Sequence, residues 1–104
     1  MARTPTRLAG PALLTDTAAT KYTAPAGGAL VRSIHISNPG ATIDITISIG
    51  TDAAGTRIYD DYPFPADHAE TLWCYHALTN GEIVQAFASV ASQATLTLGG
   101  DVFS

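Results

Sequence analysis

Histidine and cysteine side chains are the first residues of this chain that could support chemistry. The segment "CYH" places Cys74 and His76 two positions apart, so a strand would turn both to one face, as two ligands of a metal ion require. His35 and His68 lie elsewhere, and no histidine pair has the compact spacing of a metal-binding motif. A core cysteine beside a histidine at the rim explains the same pattern. We therefore predict no metal site.

Adjacent aspartates form a second candidate. The segment "YDDY" places Asp60 and Asp61 side by side. Neighbouring strand residues point to opposite faces, so the two carboxyl groups would not form the close pair that acid–base catalysis uses. A loop could still turn both, together with Asp52, towards a calcium ion, although such a site needs more oxygen ligands in a tight loop. We interpret these residues as a solvated or partner-facing acidic edge.

Serine, histidine and aspartate are all present, but no motif marks a nucleophile. A catalytic serine must be held against a base and an orienting acid, and the chain has no Gly-x-Ser-x-Gly elbow. The glycine pairs in "GGAL" and "LGGD" lack a phosphate-binding fingerprint, and we interpret them as turn or bulge glycines. We predict no catalytic residue and no cofactor, and a small enzyme ranks last among the functions we consider.

Composition and charge narrow the function classes further. The chain has 104 residues, enough for one domain, and 46% of them are hydrophobic, enough for a packed core. Only 13% are charged, against about 25% in average domains, which leaves little strongly solvated surface and favours an assembly component. The net charge of -4 argues against a nucleic-acid partner, and no apolar run approaches the roughly 18 residues of a membrane helix. We expect no secretory signal, and the single cysteine favours folding in a reducing cytoplasm.

The elements that would position these residues are strands. In "TIDITISIG", isoleucines at 43, 45, 47 and 49 alternate with polar residues, which predicts a strand with one dry and one wet face. Similar runs recur along the chain between Gly, Pro and Asn turns, and in "ALVRSIHISN" Arg32 interrupts the apolar face near its edge. About eight short strands without a helix predict a single antiparallel β-sandwich or jelly roll, which we assign to residues 12–104.

The N-terminal segment has a different pattern. Residues 1–11 contain Arg3, Arg7 and two prolines, without periodicity, and we predict an extended arm. Such an arm could fold back along its own sheet or lie on a neighbouring subunit.

Aromatic residues suggest a contact surface. Tyr59, Tyr62 and Phe64 surround a proline-containing loop, and we predict that they bind a protein partner together with Arg3 and Arg7. A carbohydrate site and simple packing in the core or at a sheet edge are the alternatives.

Several motifs resemble those of small β-sandwich virion proteins of tailed bacteriophages. They are a "YT-x-PAG" opening, a "V-x-SI-x-I-x-N" strand, an alternating strand ending in "IG-x-D-x-AGT-x-I-x-D", a "GE/D-x-I-x-A-x-A" strand and a final "T-x-T-x-x-G" strand. Here they correspond to residues 22–27, 31–38, 42–60, 81–88 and 95–100. The motifs are structural rather than chemical, so the resemblance implies no functional residues.

What the resemblance implies is assembly. The expected function is that of a virion structural protein made in the host cytoplasm, with a capsid decoration protein, bound noncovalently to the shell, as the first candidate. A neck, tail or baseplate subunit is the alternative, as is a host- or glycan-binding module that uses Trp73 and the tyrosines. Other virion proteins, such as the major capsid protein, would be the partners. The chain would form a homo-oligomer, and lattice symmetry favours a trimer.

Overall fold

The fold consists of strands and the turns between them. A computed structural model describes residues 3–103, which contain eight strands and no helix, and therefore no helix that could cross a membrane. The strands are β1 (Arg3–Leu13), β2 (Ala19–Thr23), β3 (Ala29–Asn38), β4 (Ile43–Ile49), β5 (Arg57–Phe64), β6 (His68–Leu78), β7 (Ile83–Ala88) and β8 (Thr95–Phe103).

The strands form two antiparallel four-stranded sheets packed face to face. Sheet A has the order β1-β8-β3-β6, and sheet B has the order β2-β7-β4-β5. The chain passes to the other sheet at every connection except the one between β4 and β5, so the pairs β1–β8, β2–β7, β3–β6 and β4–β5 are nested. This is the strand order of a jelly roll. The predicted all-β sandwich is confirmed.

The isoleucines of β4 lie in the core between the sheets. Ile43, Ile45 and Ile47 are at most 2% exposed, and they belong to one apolar cluster with Ile36 and Leu98 of sheet A. Burial of a side chain of this size contributes about 1.5–3 kcal/mol, so this cluster supplies much of the stability. The alternation in the sequence therefore identifies the inner face correctly.

The opposite face of β4 differs from the prediction of a wet face. Thr46 and Ser48 are each only 1% exposed. Thr46 accepts a hydrogen bond from the backbone N–H of Asp61 at 3.1 Å, and Ser48 donates to Asp52 at 2.6 Å. Strand β5 and the loop of residues 50–56 thus fold over this face and bury hydroxyl groups that a single-strand pattern places in solvent.

A bulge in β3 accommodates the charge within an apolar strand. Pairing with both neighbours shifts register between Val31 and Ser33, and the side chain of Arg32 is 55% exposed. The bulge lets Val31 and Ile34, which are three positions apart, both belong to the core cluster between the sheets. Arg32 therefore interrupts the apolar pattern of a central strand while its side chain remains in solvent.

The predicted N-terminal arm is not confirmed. Residues 3–13 form β1, which pairs with β8 from Arg3 opposite Phe103 to Leu13 opposite Thr95. Two register shifts in this pairing accommodate the irregular sequence of β1. Gly10 has a φ of 82°, and a Cβ atom at this position would collide with the carbonyl oxygen of Leu96. Residues 3–11 are therefore part of the sandwich, which is the alternative of a segment folded along its own sheet. Residues 1 and 2 lie outside the described part.

Candidate interaction surface

Two large aromatic side chains project into solvent from β6. Trp73 is 79% exposed and Tyr75 is 77% exposed, whereas Leu72 and Leu78 on the same strand are buried. Alternation along the strand turns positions 73 and 75 away from the core, onto the outer face of sheet A. Tryptophan and tyrosine combine apolar area with a hydrogen-bonding tip and are enriched where proteins bind partners. These two residues are the most prominent apolar feature of the surface.

Arginines from two other strands share this outer face. Arg3 of β1 and Arg32 of β3 approach the same carboxylate oxygen of Asp101, at 3.8 Å and 3.5 Å. Arg7 follows Arg3 on the same side of β1, because no register shift separates them. Three of the five Lys and Arg residues of an acidic chain therefore lie on one face.

The carboxylate of Asp101 organises part of this charge. Asp101 is 1% exposed, and the two guanidinium groups cover it. A buried carboxylate requires charged or hydrogen-bonding partners, so Asp101 holds both arginines close together. One negative charge against two positive ones leaves the cluster with a net positive charge, to which Arg7 adds. We use the name cationic-aromatic face for Arg3, Arg7, Arg32, Trp73 and Tyr75.

The aromatic residues of the predicted contact patch are not all on the surface. Phe64 is 0% exposed and belongs to the core, so its assignment to a partner-binding surface is wrong. Tyr59 and Tyr62 are half-buried on β5, pack against the core, and make an edge-to-face contact with 5.4 Å between ring centroids. Burial raises the pKa of the Tyr59 hydroxyl, which nearby Cys74 and Tyr62 raise further. These rings close the rim of the core beneath β6.

The five predicted partner-binding residues therefore do not form one surface. Arg3 and Arg7 lie on β1, at one edge of sheet A, whereas the tyrosines lie on β5, at an edge of sheet B. Because β1 lies next to β2, and β5 is at the far end of sheet B from β2, the two groups occupy opposite sides of the sandwich. The alternation of "TLWCY" places Trp73 and Tyr75 on a shared face. Their exposure depends on the tertiary structure, in which no strand of residues 3–103 covers the outer face of sheet A.

The acidic residues near the β4–β5 connection are occupied by an arginine. Arg57 makes two hydrogen bonds to Asp52, at 3.0 Å and 3.1 Å, and one to Asp60 at 2.8 Å. The hydrogen bonds from Arg57 and then Ser48 lower the pKa of the Asp52 carboxyl. Asp61 turns away with a φ of 48°. The hydrogen bonds between Asp52 and Arg57 thus attach the loop of residues 50–56 to β5.

The histidines and the cysteine have separate neighbours. His35 lies 2.8 Å from the Thr71 hydroxyl and His68 lies 3.1 Å from the Glu70 carboxylate. Cys74 is half-buried with its sulfur 3.6 Å from the carbonyl oxygen of Val31, and burial raises the pKa of its thiol. Among residues 3–103, no group of three or more His, Cys, Asp and Glu side chains is arranged around a possible metal position, and no pocket is found.

Comparisons with known proteins identify no family for this chain. No protein-family model, no curated protein and no solved structure matches this chain.

Proposed function

We propose that this chain is a structural protein of a tailed-bacteriophage virion, with capsid decoration as its role. The cationic-aromatic face is the observation that supports this proposal, together with the jelly-roll frame and the resemblance of the sequence motifs. Jelly rolls serve as subunits of viral shells, since two packed sheets present broad rigid faces. The protein would bind the shell noncovalently through this face and the adjoining sheet edges.

The chemistry of this face fits a protein partner with acidic or polar groups. Trp73 and Tyr75 offer the kind of rigid aromatic area that dominates binding energy when it becomes fully buried. Arg3 and Arg32 both approach Asp101, and their side chains stay more than half exposed, so both guanidinium groups are accessible to a carboxylate of the partner. In this proposal the arginines bind the partner from strands β1 and β3 of the sheet, and not from a free N-terminal arm.

The position within the particle is a separate part of the proposal. A neck, tail or baseplate subunit would use the same face, and the number of copies per particle separates these roles. Hundreds of copies indicate decoration, whereas a few to tens indicate a tail part. A homo-oligomer belongs to the same proposal.

The decisive experiment measures occupancy on particles that lack this protein. The double variant Trp73→Ala, Tyr75→Ala should lower the affinity for particles by about 30-fold or more, since buried aromatic residues at interface centres contribute at least about 2 kcal/mol. Val90 is 45% exposed and lies outside the cationic-aromatic face, so Val90→Ala is the matched control and should bind as the unaltered chain does. Equal occupancy by the double variant would remove the proposed surface.

Glycan binding on the virion is a second candidate, which the exposure of Trp73 favours. Sugar rings stack on open aromatic faces, and lectins also use jelly rolls. On a glycan array, binding by the unaltered chain that Trp73→Ala abolishes would support this function. An array without signal would argue against it.

A further inference from the structure

The four edge strands of the sandwich are not equally protected. Strand β1 contains Pro5 and Pro11 and has two register shifts in its pairing. Strand β2 has only five residues, includes Lys21 and has one shift. Strand β5 contains Pro63 and two adjacent aspartates, one of them with a positive φ. Prolines, charges, bulges and short length are the features that prevent an edge from pairing with another chain.

Strand β6 has fewer of these features, namely one register shift in its pairing with β3 and the single acidic residue Glu70. It has 11 residues, without proline, lysine or arginine, and it pairs with β3 on one side. Among residues 3–103, no other strand lies alongside it in sheet A. About half of the backbone N–H and C=O groups of an edge strand point outwards and remain free to bind. Among residues 3–103, the edge that carries Trp73 and Tyr75 is thus the least protected one.

We propose that β6 pairs antiparallel with β6 of a second copy, so that two copies of sheet A become one eight-stranded sheet. This interface does not depend on the virion role. A two-fold axis passes between the two copies at Trp73, so Trp73 of one copy faces Trp73 of the other. In every other facing pair, the two residue numbers add up to 146. The outer face remains open, and it would carry the aromatic residues of both copies at its centre.

The sequence of β6 is complementary to itself in this register. Glu70 of one copy faces His76 of the other, which places a carboxylate against a ring that has an N–H donor in either protonation state. Thr71 faces Tyr75, and Trp73 faces Trp73, so the outer row contains aromatic and β-branched residues that stabilise cross-strand pairs. Centring the axis on Cys74 instead would place Glu70 opposite the apolar Leu78, so the pairing would add no partner to the contact that Glu70 already makes with His68.

Strand β5 restricts the pairing to sheet A. It lies on the same side of the sandwich as β6, and Asp60 and Asp61 on one copy would repel those on the next. Because Pro63 also removes a backbone donor there, sheet B does not continue across the interface. The expected product is therefore a closed dimer rather than the trimer predicted from lattice symmetry or an open fibre.

The first test is the mass of the purified full chain in solution, measured by sedimentation equilibrium over a range of concentrations. We expect twice the chain mass of 10.8 kDa. Trp73→Lys would place two like charges face to face and should raise the dimer dissociation constant by about tenfold or more. Leu13 is 52% exposed on the opposite edge, so Leu13→Lys is the matched control and should leave the dimer unchanged. A monomer at every concentration, a trimer, or a dimer unaffected by Trp73→Lys would overturn the proposal.

The second test fixes the register by disulfide formation. Ala69 and Ala77 are exposed and would face each other across the axis. Ala69→Cys and Ala77→Cys are prepared separately, each with Cys74→Ser, so that each chain has one thiol. Oxidation of the mixture should give a disulfide-linked dimer, whereas each variant alone should not, since its two thiols would be about 26 Å apart. Equal crosslinking in a single-variant sample, or none in the mixture, would overturn the register.

Discussion

Asn38 offers a test in which one chemical group changes while the shape of the side chain stays the same. Asn38 is 1% exposed at the end of β3, and its amide nitrogen donates to the carbonyl oxygens of Ala41 and Pro65 at 3.0 Å and 2.8 Å. Its amide oxygen accepts from the Gly40 N–H at 3.2 Å and from Gln93 at 2.7 Å. This one side chain therefore connects three loops at one end of the sandwich.

Replacing Asn38 by aspartate removes both donors and keeps the volume. The carbonyl oxygens of Ala41 and Pro65 would then face a carboxylate oxygen instead of an N–H group. The Ala41 carbonyl keeps its hydrogen bond from Gln93 at 2.7 Å, but the Pro65 carbonyl and the new carboxylate oxygen that faces it would both lack a donor. Each such group costs about 1–3 kcal/mol, so Asn38→Asp should lower the free energy of unfolding by roughly 2–6 kcal/mol. A domain of this kind has about 5–15 kcal/mol in total, so much of the stability would be lost.

The assay is urea unfolding followed by far-UV circular dichroism, because Trp73 is exposed in the folded state and its fluorescence would respond weakly. With a urea slope of about 1–3 kcal/mol per molar, the midpoint should fall by at least about 0.7 M. Asn80 is exposed in the turn after β6, so Asn80→Asp makes the same chemical change in water and should stay within about 0.5 kcal/mol. A loss at Asn38 no larger than that at Asn80 would refute this reasoning.

Three further outcomes are expected. Deleting residues 1–10 removes most of β1 and bares β8, so the unfolding temperature should fall clearly; an unchanged melting curve would contradict the assignment of this segment to the sheet. The pKa of Asp52 is lowered in the folded state, so its contribution to stability is present above the unfolded pKa of about 3.9 and is lost as pH falls through the folded pKa; Asp52→Asn should weaken this acid sensitivity in unfolding curves recorded between pH 7 and pH 2. Burial raises the pKa of Cys74, so iodoacetamide should alkylate it more slowly than free cysteine at pH 8, and an equal rate would contradict the half-buried position.

The sequence alone determines the local structure and the inner face of the strands. The isoleucines of β4 repeat every second residue, which only an extended strand can bury on one side, and a shift by one residue would expose them all. The same rule places Trp73 and Tyr75 on a common face of β6. The turn residues between these runs predict the number of strands, because each turn ends one extended segment before the next begins.

Contacts between distant parts of the chain are decided by the tertiary structure. The sequence between Arg3 and Leu13 has no period, and only pairing with β8 makes it a strand. Arg32 and Asp101 meet although 69 positions separate them, because the jelly-roll order makes β3 and β8 neighbours. Phe64 is buried because the end of β5 turns it into the core. Local patterns specify the direction of a side chain along its own strand, whereas the element that covers it depends on how the sheets assemble.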